Sequence, residues 1–318
     1  MDSTLPLFQL PERAIMTSLK YCGVPELILF SILSKRAKHM VKSDKRNARS
    51  IEIINYTGCI VVLYSGPTIM FGESQQRDCD VESLTPCTLR ATKAFPPSEV
   101  SFTVPGFGGV KNWLEHFMFI FNHPMANVSF GPRDLWKYSL ESVKSLLKGL
   151  PIGNLAVFEN ACEIIRNFPL MHSLHIDKTD LEPELPEAEL NFIKKVLVGN
   201  MDSLKVYRVV PIDLNTLLTL NSSDIRFNRT SITDKELNTF LKLWLKGAKQ
   251  NLRSVYIDFV GQRRRGLFLD ASVIMKGIKI EGSTDGRRFV PRFDIRKRDG
   301  TVGDVIISPC SFELRVVN

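Results

Sequence analysis

His172 and His175, in the stretch MHSLHI, have a spacing that could bring two imidazoles to one metal ion. The stretch alternates apolar and polar residues, which reads as a strand. Strand residues three apart face opposite ways, so no shared metal is expected. His116 and His123 are seven apart on a Phe-rich helical stretch and could share a face, but no Cys or carboxylate pattern joins them. The six cysteines (Cys22, Cys59, Cys79, Cys87, Cys162 and Cys310) form no C-x-x-C pair and are irregularly spaced. They read as thiols of a reducing compartment, not as a disulfide frame or zinc site.

Other chemistry is equally thin. PGFGGVKNW, residues 105–113, has glycines before a helix but neither the Lys-Ser/Thr ending of a phosphate loop nor the G-x-G-x-x-G spacing. No G-x-S-x-G elbow or kinase set occurs. The sequence therefore points to a non-catalytic protein with no cofactor and no metal. GQRRRG, residues 261–266, is the one dense basic knot. Arg263, Arg264 and Arg265 could touch phosphates, but no aromatic ladder or zinc pattern surrounds them, so nucleic acid is not the expected partner.

The 318 residues carry a net charge of +8, concentrated at +5 over residues 1–50 and +6 over residues 251–300. No apolar run approaches the roughly 18 residues of a membrane span, and the start lacks the layout of a signal peptide, so an intracellular protein of cytoplasm or nucleus is expected.

The element pattern is α/β (α+β) in three parts: 1–48, a short helical unit; 49–134, a β-rich connecting region with a helix near 110–123; and 135–318, a strand–helix array. In the first part, Pro11 and Pro25 each sit where a helix starts, Cys22-Gly23 breaks the chain, and Ile15, Leu19, Leu27, Ile28 and Leu33 carry more apolar surface than two short helices can bury between them. In the second, SIEIINY, CIVVLYS and TIMFG read as strands, and residues 73–99 as loop. In the third, apolar-x-apolar pairs recur at Leu155/Val157, Leu174/Ile176, Leu204/Val206, Ile225/Phe227, Val255/Ile257 and Ile278/Ile280, most of them after helical segments. Steps of 19–30 residues suggest a degenerate leucine-rich-repeat-like array, with a plain α/β layer fold as the alternative. Thr233-x-x-Glu236 opens the clearest helix as a capping box, and Leu237, Phe240, Leu241, Trp244 and Leu245 form its apolar stripe. Asp299-Gly300 predicts a hairpin near the end.

LPERAIMTSL…VPELILFSILSKRAKHMV, with Leu10-Pro11, Ile15, Leu19, Leu27, Ile28, Leu33 and Ser34-Lys35-Arg36, resembles an F-box. It departs from that pattern at Cys22-Gly23 and in lacking a Trp in the third helix, where Ala37 and Lys38 stand. SIEIINY, ITDKELNTFLKLWLKGAKQNLRSVYIDF and the closing FDIRKRDGTVGDVIIS…FELRVV resemble the nematode-expanded F-box proteins with a type-2 F-box-associated domain. The resemblance implies the substrate-recognition subunit of a Skp–cullin–F-box ubiquitin ligase. Its partners would be a Skp-type adaptor, through it a cullin, and an unknown protein target. It implies adaptor contacts at Leu10, Pro11, Ile15, Leu19, Pro25, Leu27 and Ile28, some of which, Leu19 and Leu27 above all, could instead form the helical unit's own core. Residues flanking the array's apolar pairs, His175, Lys205, Tyr207, Arg226 and Tyr256, are the candidate target contacts. A protein-interaction scaffold outside any ligase, or a basic nucleic-acid-binding protein, is the alternative.

Overall fold

The computed structural model describes residues 9–48, 50–55, 59–63, 68–71, 88–94, 97–103, 110–177, 186–207, 212–228, 231–259, 268–286 and 290–317, with backbone alone at 59–63, 68–71, 88–94, 97–103, 110 and 283–286. The chain divides into two units, Met1–Gly153 and Asn154–Asn318. The glycine-rich turn at 105–109 and the basic knot at 261–266 lie outside the described residues.

The first unit opens with α1 (Glu12–Leu19), α2 (Val24–Ser31) and α3 (Lys35–Ser43). Pro11 stands just before α1, Pro25 occupies the first turn of α2, and the Ser34 hydroxyl accepts the Ala37 N–H at 3.0 Å to start α3. Then follow β1 (Ser50–Ile54), β2 (Cys59–Leu63), β3 (Thr68–Phe71), β4 (Thr88–Ala94), β5 (Pro97–Thr103), α4 (Val110–Ile120), β6 (Ala126–Phe130) and α5 (Leu140–Leu147). The strands run β6-β1-β2-β3-β4-β5, with β1 parallel to β6 and the remaining pairs antiparallel. The reading of 73–99 as loop is corrected from Thr88 onward, since β4 pairs with both β3 and β5. TLRATKA mixes Thr and Leu with Arg and Lys, so its apolar signal is too weak for a period-2 count.

α4 carries this unit's aromatic core. Trp113, Phe117 and Phe121 stack successively, with ring centroids 5.5 and 6.2 Å apart, and all are buried. The β1 residues Ile51 and Ile53 are buried and α4 packs on that strand. Asn55, just past β1, is buried with its amide paired both ways to Tyr138: its Nδ2 donates to the Tyr138 carbonyl (3.0 Å) and its Oδ1 accepts the Tyr138 N–H (2.9 Å).

The second unit begins around β7 (Ile152–Val157) and continues through α6 (Ala161–Asn167), β8 (Met171–Ile176), α7 (Glu187–Leu197), β9 (Ser203–Val206), α8 (Leu214–Thr219), β10 (Asp224–Phe227), α9 (Asp234–Leu245), β11 (Ser254–Asp258) and α10 (Ala271–Ile274). It closes with β12 (Gly282–Gly286), β13 (Val290–Arg296), β14 (Val302–Ser308) and β15 (Ser311–Val317). The strand order is β7-β8-β9-β10-β11-β15-β14-β13-β12. β8 to β11 pair in parallel, and β15 returns antiparallel to β11.

Five of the six expected apolar pairs fall on these strands. Leu174, Leu204, Ile225, Val255 and Leu314 are register partners in turn, as are Ile176, Val206, Phe227, Ile257 and Phe312, and both rows are buried. The sixth, Ile278/Ile280, is not a strand: Gly277 adopts φ +71 after the short α10, Ile278 is buried in irregular chain, and Ile280 is exposed. The antiparallel strands take over there. α9 has the expected reciprocal cap: Thr233 Oγ1 accepts the Glu236 N–H at 3.3 Å and Glu236 Oε2 accepts the Thr233 N–H at 2.8 Å. Gly300, at φ +91, turns β13 into β14 at the expected Asp-Gly.

Candidate protein-docking surfaces

The helical unit completes most of its own core. Ile15 and Leu19 on α1, Val24, Pro25, Leu27, Ile28 and Phe30 on α2, and Ala37, Met40 and Val41 on α3 are buried within the chain. α2 packs on α3 and α3 on α4. Of the seven residues expected at an adaptor, five (Ile15, Leu19, Pro25, Leu27 and Ile28) are therefore sheltered here by the chain's own side chains. Leu10 is half-buried and Pro11 exposed. The apolar surface that does face solvent is Tyr21 (88 % exposed), Leu29 (38 %) and Leu33 (62 %). Leu29 lies on α2 and Leu33 just past its C-terminal end. Leu29 is not among the residues singled out from the sequence, because the run around it, ELILFSIL, is apolar at all but Glu26 and Ser31 and does not show which side meets water.

Two polar devices hold this unit. The Arg46 guanidinium, ion-paired with Asp44 at 2.8 Å, donates to the carbonyls of Leu19 (2.8 Å), Lys20 (2.8 Å) and Cys22 (2.7 Å). These carbonyls cluster at and just beyond the C-terminal end of α1, where a cation suits the helix dipole. Arg46→Ala is expected to cost about 2–3 kcal/mol of stability, since hydrogen bonds to a charged group contribute about 1.5–3 kcal/mol; urea unfolding measures it.

The second device is His116 on α4. The Ser31 hydroxyl donates to the Ile28 carbonyl at 2.7 Å, so His116 Nε2, 2.7 Å from the same oxygen, is the donor to it. Burial, helped by the Lys38 charge, lowers the His116 pKa to about 3. The folded chain thus keeps this imidazole neutral where an unfolded chain protonates it, from about pH 6.5 down. Stability falls as pH drops through the window from about 6.5 to about 3, by about 1.4 kcal/mol per pH unit from this group. His116→Asn is expected to flatten that acid limb in urea midpoints measured from pH 7 to 4.5.

In the second unit, alternation puts polar side chains opposite the two buried rows. His175 pairs in register with Lys205, Lys205 with Arg226, Arg226 with Tyr256, and Tyr256 with Glu313. Four of the five expected target-contact residues thus form one row across four adjacent parallel strands. Tyr207, the fifth, follows β9 and sets its ring edge-on to His175 at 5.3 Å. Phe158 also packs edge-on against His175, at 5.9 Å. None of the five is buried, and Arg226 is exposed.

Burial, then the Lys205 charge, lowers the His175 pKa, so the ring is neutral, and its Nε2 has no hydrogen-bond partner. Burial raises Tyr207 and Tyr256, keeping both phenols protonated. The Arg226 guanidinium lies 5.9 Å from the Tyr256 ring centre. Neighbouring charges are paired: Arg253 with Asp224 (2.9 Å) and Arg315 with Glu313 (2.6 Å). Lys205 and Arg226 form no ion pair among the described residues. His172 lies on the opposite side of β8 from His175 and stands 3.5 Å from Asp202. No group of three or more His, Cys, Asp or Glu residues able to hold a metal occurs among the described residues. No described helix is long and apolar enough to cross a membrane.

Comparison with known proteins places both surfaces in context. Residues 192–257, which contain Lys205, Tyr207, Arg226 and Tyr256, match the family model described as F-box associated. The chain is also similar to a Caenorhabditis elegans protein, "F-box associated domain-containing protein sdz-33", at 26% identity over 311 residues, 96% of this chain and 94% of that protein. No solved structure matches it. The likeness read from the sequence, to nematode F-box-associated proteins, is therefore shown.

Proposed function

We propose, from that likeness, that the chain is the target-binding subunit of a Skp–cullin–F-box ubiquitin ligase, working in the cytoplasm or nucleus and performing no chemistry itself. Residues 1–48 dock on a Skp-type adaptor, which links them to a cullin, and residues 135–318 hold a protein target for ubiquitin transfer by other subunits. Its contribution is proximity, a tethered encounter in place of a bimolecular one.

The observation that supports this most is the apolar surface that the helical unit leaves exposed: Leu29 and Leu33, with Tyr21, Pro11 and part of Leu10. Covering a leucine is worth about 1.5–3 kcal/mol at full burial, so several partly exposed groups provide an interface once association entropy is met. Ile15, Leu19, Pro25, Leu27 and Ile28 then serve as the frame that sets this edge. The target side is assigned to the row His175, Lys205, Arg226 and Tyr256, with Tyr207.

Co-expression of the full chain with a Skp-type adaptor tests the reading. The two are expected to co-elute in size-exclusion chromatography. Separate elution at micromolar concentration refutes it.

A further inference from the structure

We infer that the polar row of the second unit takes an acidic, carboxylate-bearing extended segment of the target protein, seated on Lys205 and Arg226 and flanked by Tyr207, Tyr256 and His175. This deepens the proposed function and rests on it for the identity of the occupant as a ligase target.

Lys205 and Arg226 are direct register partners on neighbouring strands, about 4.8 Å apart in the pairing direction. Like charges directly opposite each other destabilise a sheet. Elsewhere on the same face the chain neutralises its cations: Arg253 holds Asp224, which also accepts the Ser254 hydroxyl at 2.8 Å, and Arg315 holds Glu313. At Lys205 and Arg226 no described carboxylate comes within ion-pair distance. Asp177 and Asp258, one at the end of β8 and one closing β11, act on Tyr207 but already have partners. The two cations thus stand side by side on this face with no carboxylate in ion-pair contact among the described residues.

The flanking groups suit a carboxylate-bearing chain. Arg226 can grip a carboxylate with two parallel N–H donors, and Lys205 adds a compact charge beside it. The phenols of Tyr207 and Tyr256 stay protonated and can donate. His175 is neutral, so it adds no third charge; its Nε2 is buried and unpartnered, and the ring lies edge-on against Phe158 and Tyr207, leaving it as an apolar flank. A bound carboxylate removes the repulsion between the two cations, and the aromatic rings cover its aliphatic stem.

Fluorescein-labelled octaglutamate is the probe, with octaglutamine as the uncharged control and single-stranded decauridylate as the nucleic-acid control, read by anisotropy on the full chain. Octaglutamate is expected to bind and octaglutamine not. Lys205→Ala with Arg226→Ala should weaken octaglutamate by about tenfold, the scale of two partly exposed ion pairs. Lys194→Ala with Lys195→Ala, which removes the same charge from an exposed side of α7, should shift it by less than about twofold. The single variants Lys205→Gln and Arg226→Gln should each show part of the loss, which guards against a misfolded double variant. Equal losses from both double variants, no loss from the row variant, or decauridylate binding more tightly than octaglutamate and losing it at the same two residues would each overturn the inference. Adaptor capture by the row variant should be unchanged. If the adaptor is not captured by the unaltered chain yet octaglutamate still depends on Lys205 and Arg226, the ligase reading falls and the anion-binding row stands.

Discussion

Under the proposed function, replacing Leu29 and Leu33 together by aspartate is expected to abolish capture of a Skp-type adaptor and to leave the chain folded. Both side chains already face water, at 38 % and 62 % exposure, so neither change opens a cavity in the helical unit. The loss falls on the complex. Two leucines no longer contribute apolar burial, and two carboxylates would have to be desolvated without partners, which costs several kcal/mol each. A decrease in affinity of at least about a hundredfold follows, since each 1.4 kcal/mol is tenfold. Leu27→Ala or Ile28→Ala, fully buried on the other side of the same helix, is expected to lose about 2–5 kcal/mol of fold stability instead. Adaptor pull-down and urea midpoints on all three variants separate the two effects. Undiminished capture by the double aspartate variant rejects this edge as the adaptor contact.

Trp244→Ala is expected to be the most damaging single change in the second unit, at about 3–5 kcal/mol. Trp244 projects from α9 onto β14 and is completely buried. Its ring fits there because position 303 is glycine: a Cβ at Gly303 would stand 2.7 and 2.9 Å from the Trp244 ring carbons Cη2 and Cζ3. The ammonium of Lys297, a buried residue, lies 4.4 Å from the ring centre, a cation–π contact. Gly303→Val should therefore destabilise by overpacking, about 1–3 kcal/mol or more. Trp244→Phe paired with Gly303→Ala should cost less than the sum of the two single changes, because the smaller ring makes room for the added methyl. Thermal and urea unfolding of the set checks this; strict additivity would show that the close approach does not constrain the pair.

These two sites illustrate what the sequence could and could not disclose. The α9 stripe was legible because its apolar residues recur at helical spacing behind a capping box, and the parallel strands because each carries an apolar-x-apolar pair. Neither signal says which strands are neighbours. Gly303 looks like any strand glycine until β14 is known to pass beneath α9. The row His175–Lys205–Arg226–Tyr256 was legible residue by residue, since alternation puts each opposite a buried position. That the four align depends on register, which is set by the loops between them. The F-box-like segment was read from its leucines and prolines, but hydrophobicity alone does not divide a continuous apolar run into the side turned to α3 and the side turned to water. Thr88–Ala94 and Ile278–Ile280 misled in opposite directions: the first is a paired strand with little apolar content, the second an apolar pair in chain bent by Gly277.

The antiparallel return of β15 onto β11 has a consequence for how such a chain can diversify. Open-ended solenoids gain copies by appending a duplicated module at a terminus. Here the flank of β11 is already occupied, so an extra strand–helix module on that side would have to displace β15 and the hairpins attached to it. Under the proposed function, new specificity on that side comes from substitutions along the existing polar row, where one exchange alters chemistry between fixed neighbours without changing the length of the scaffold.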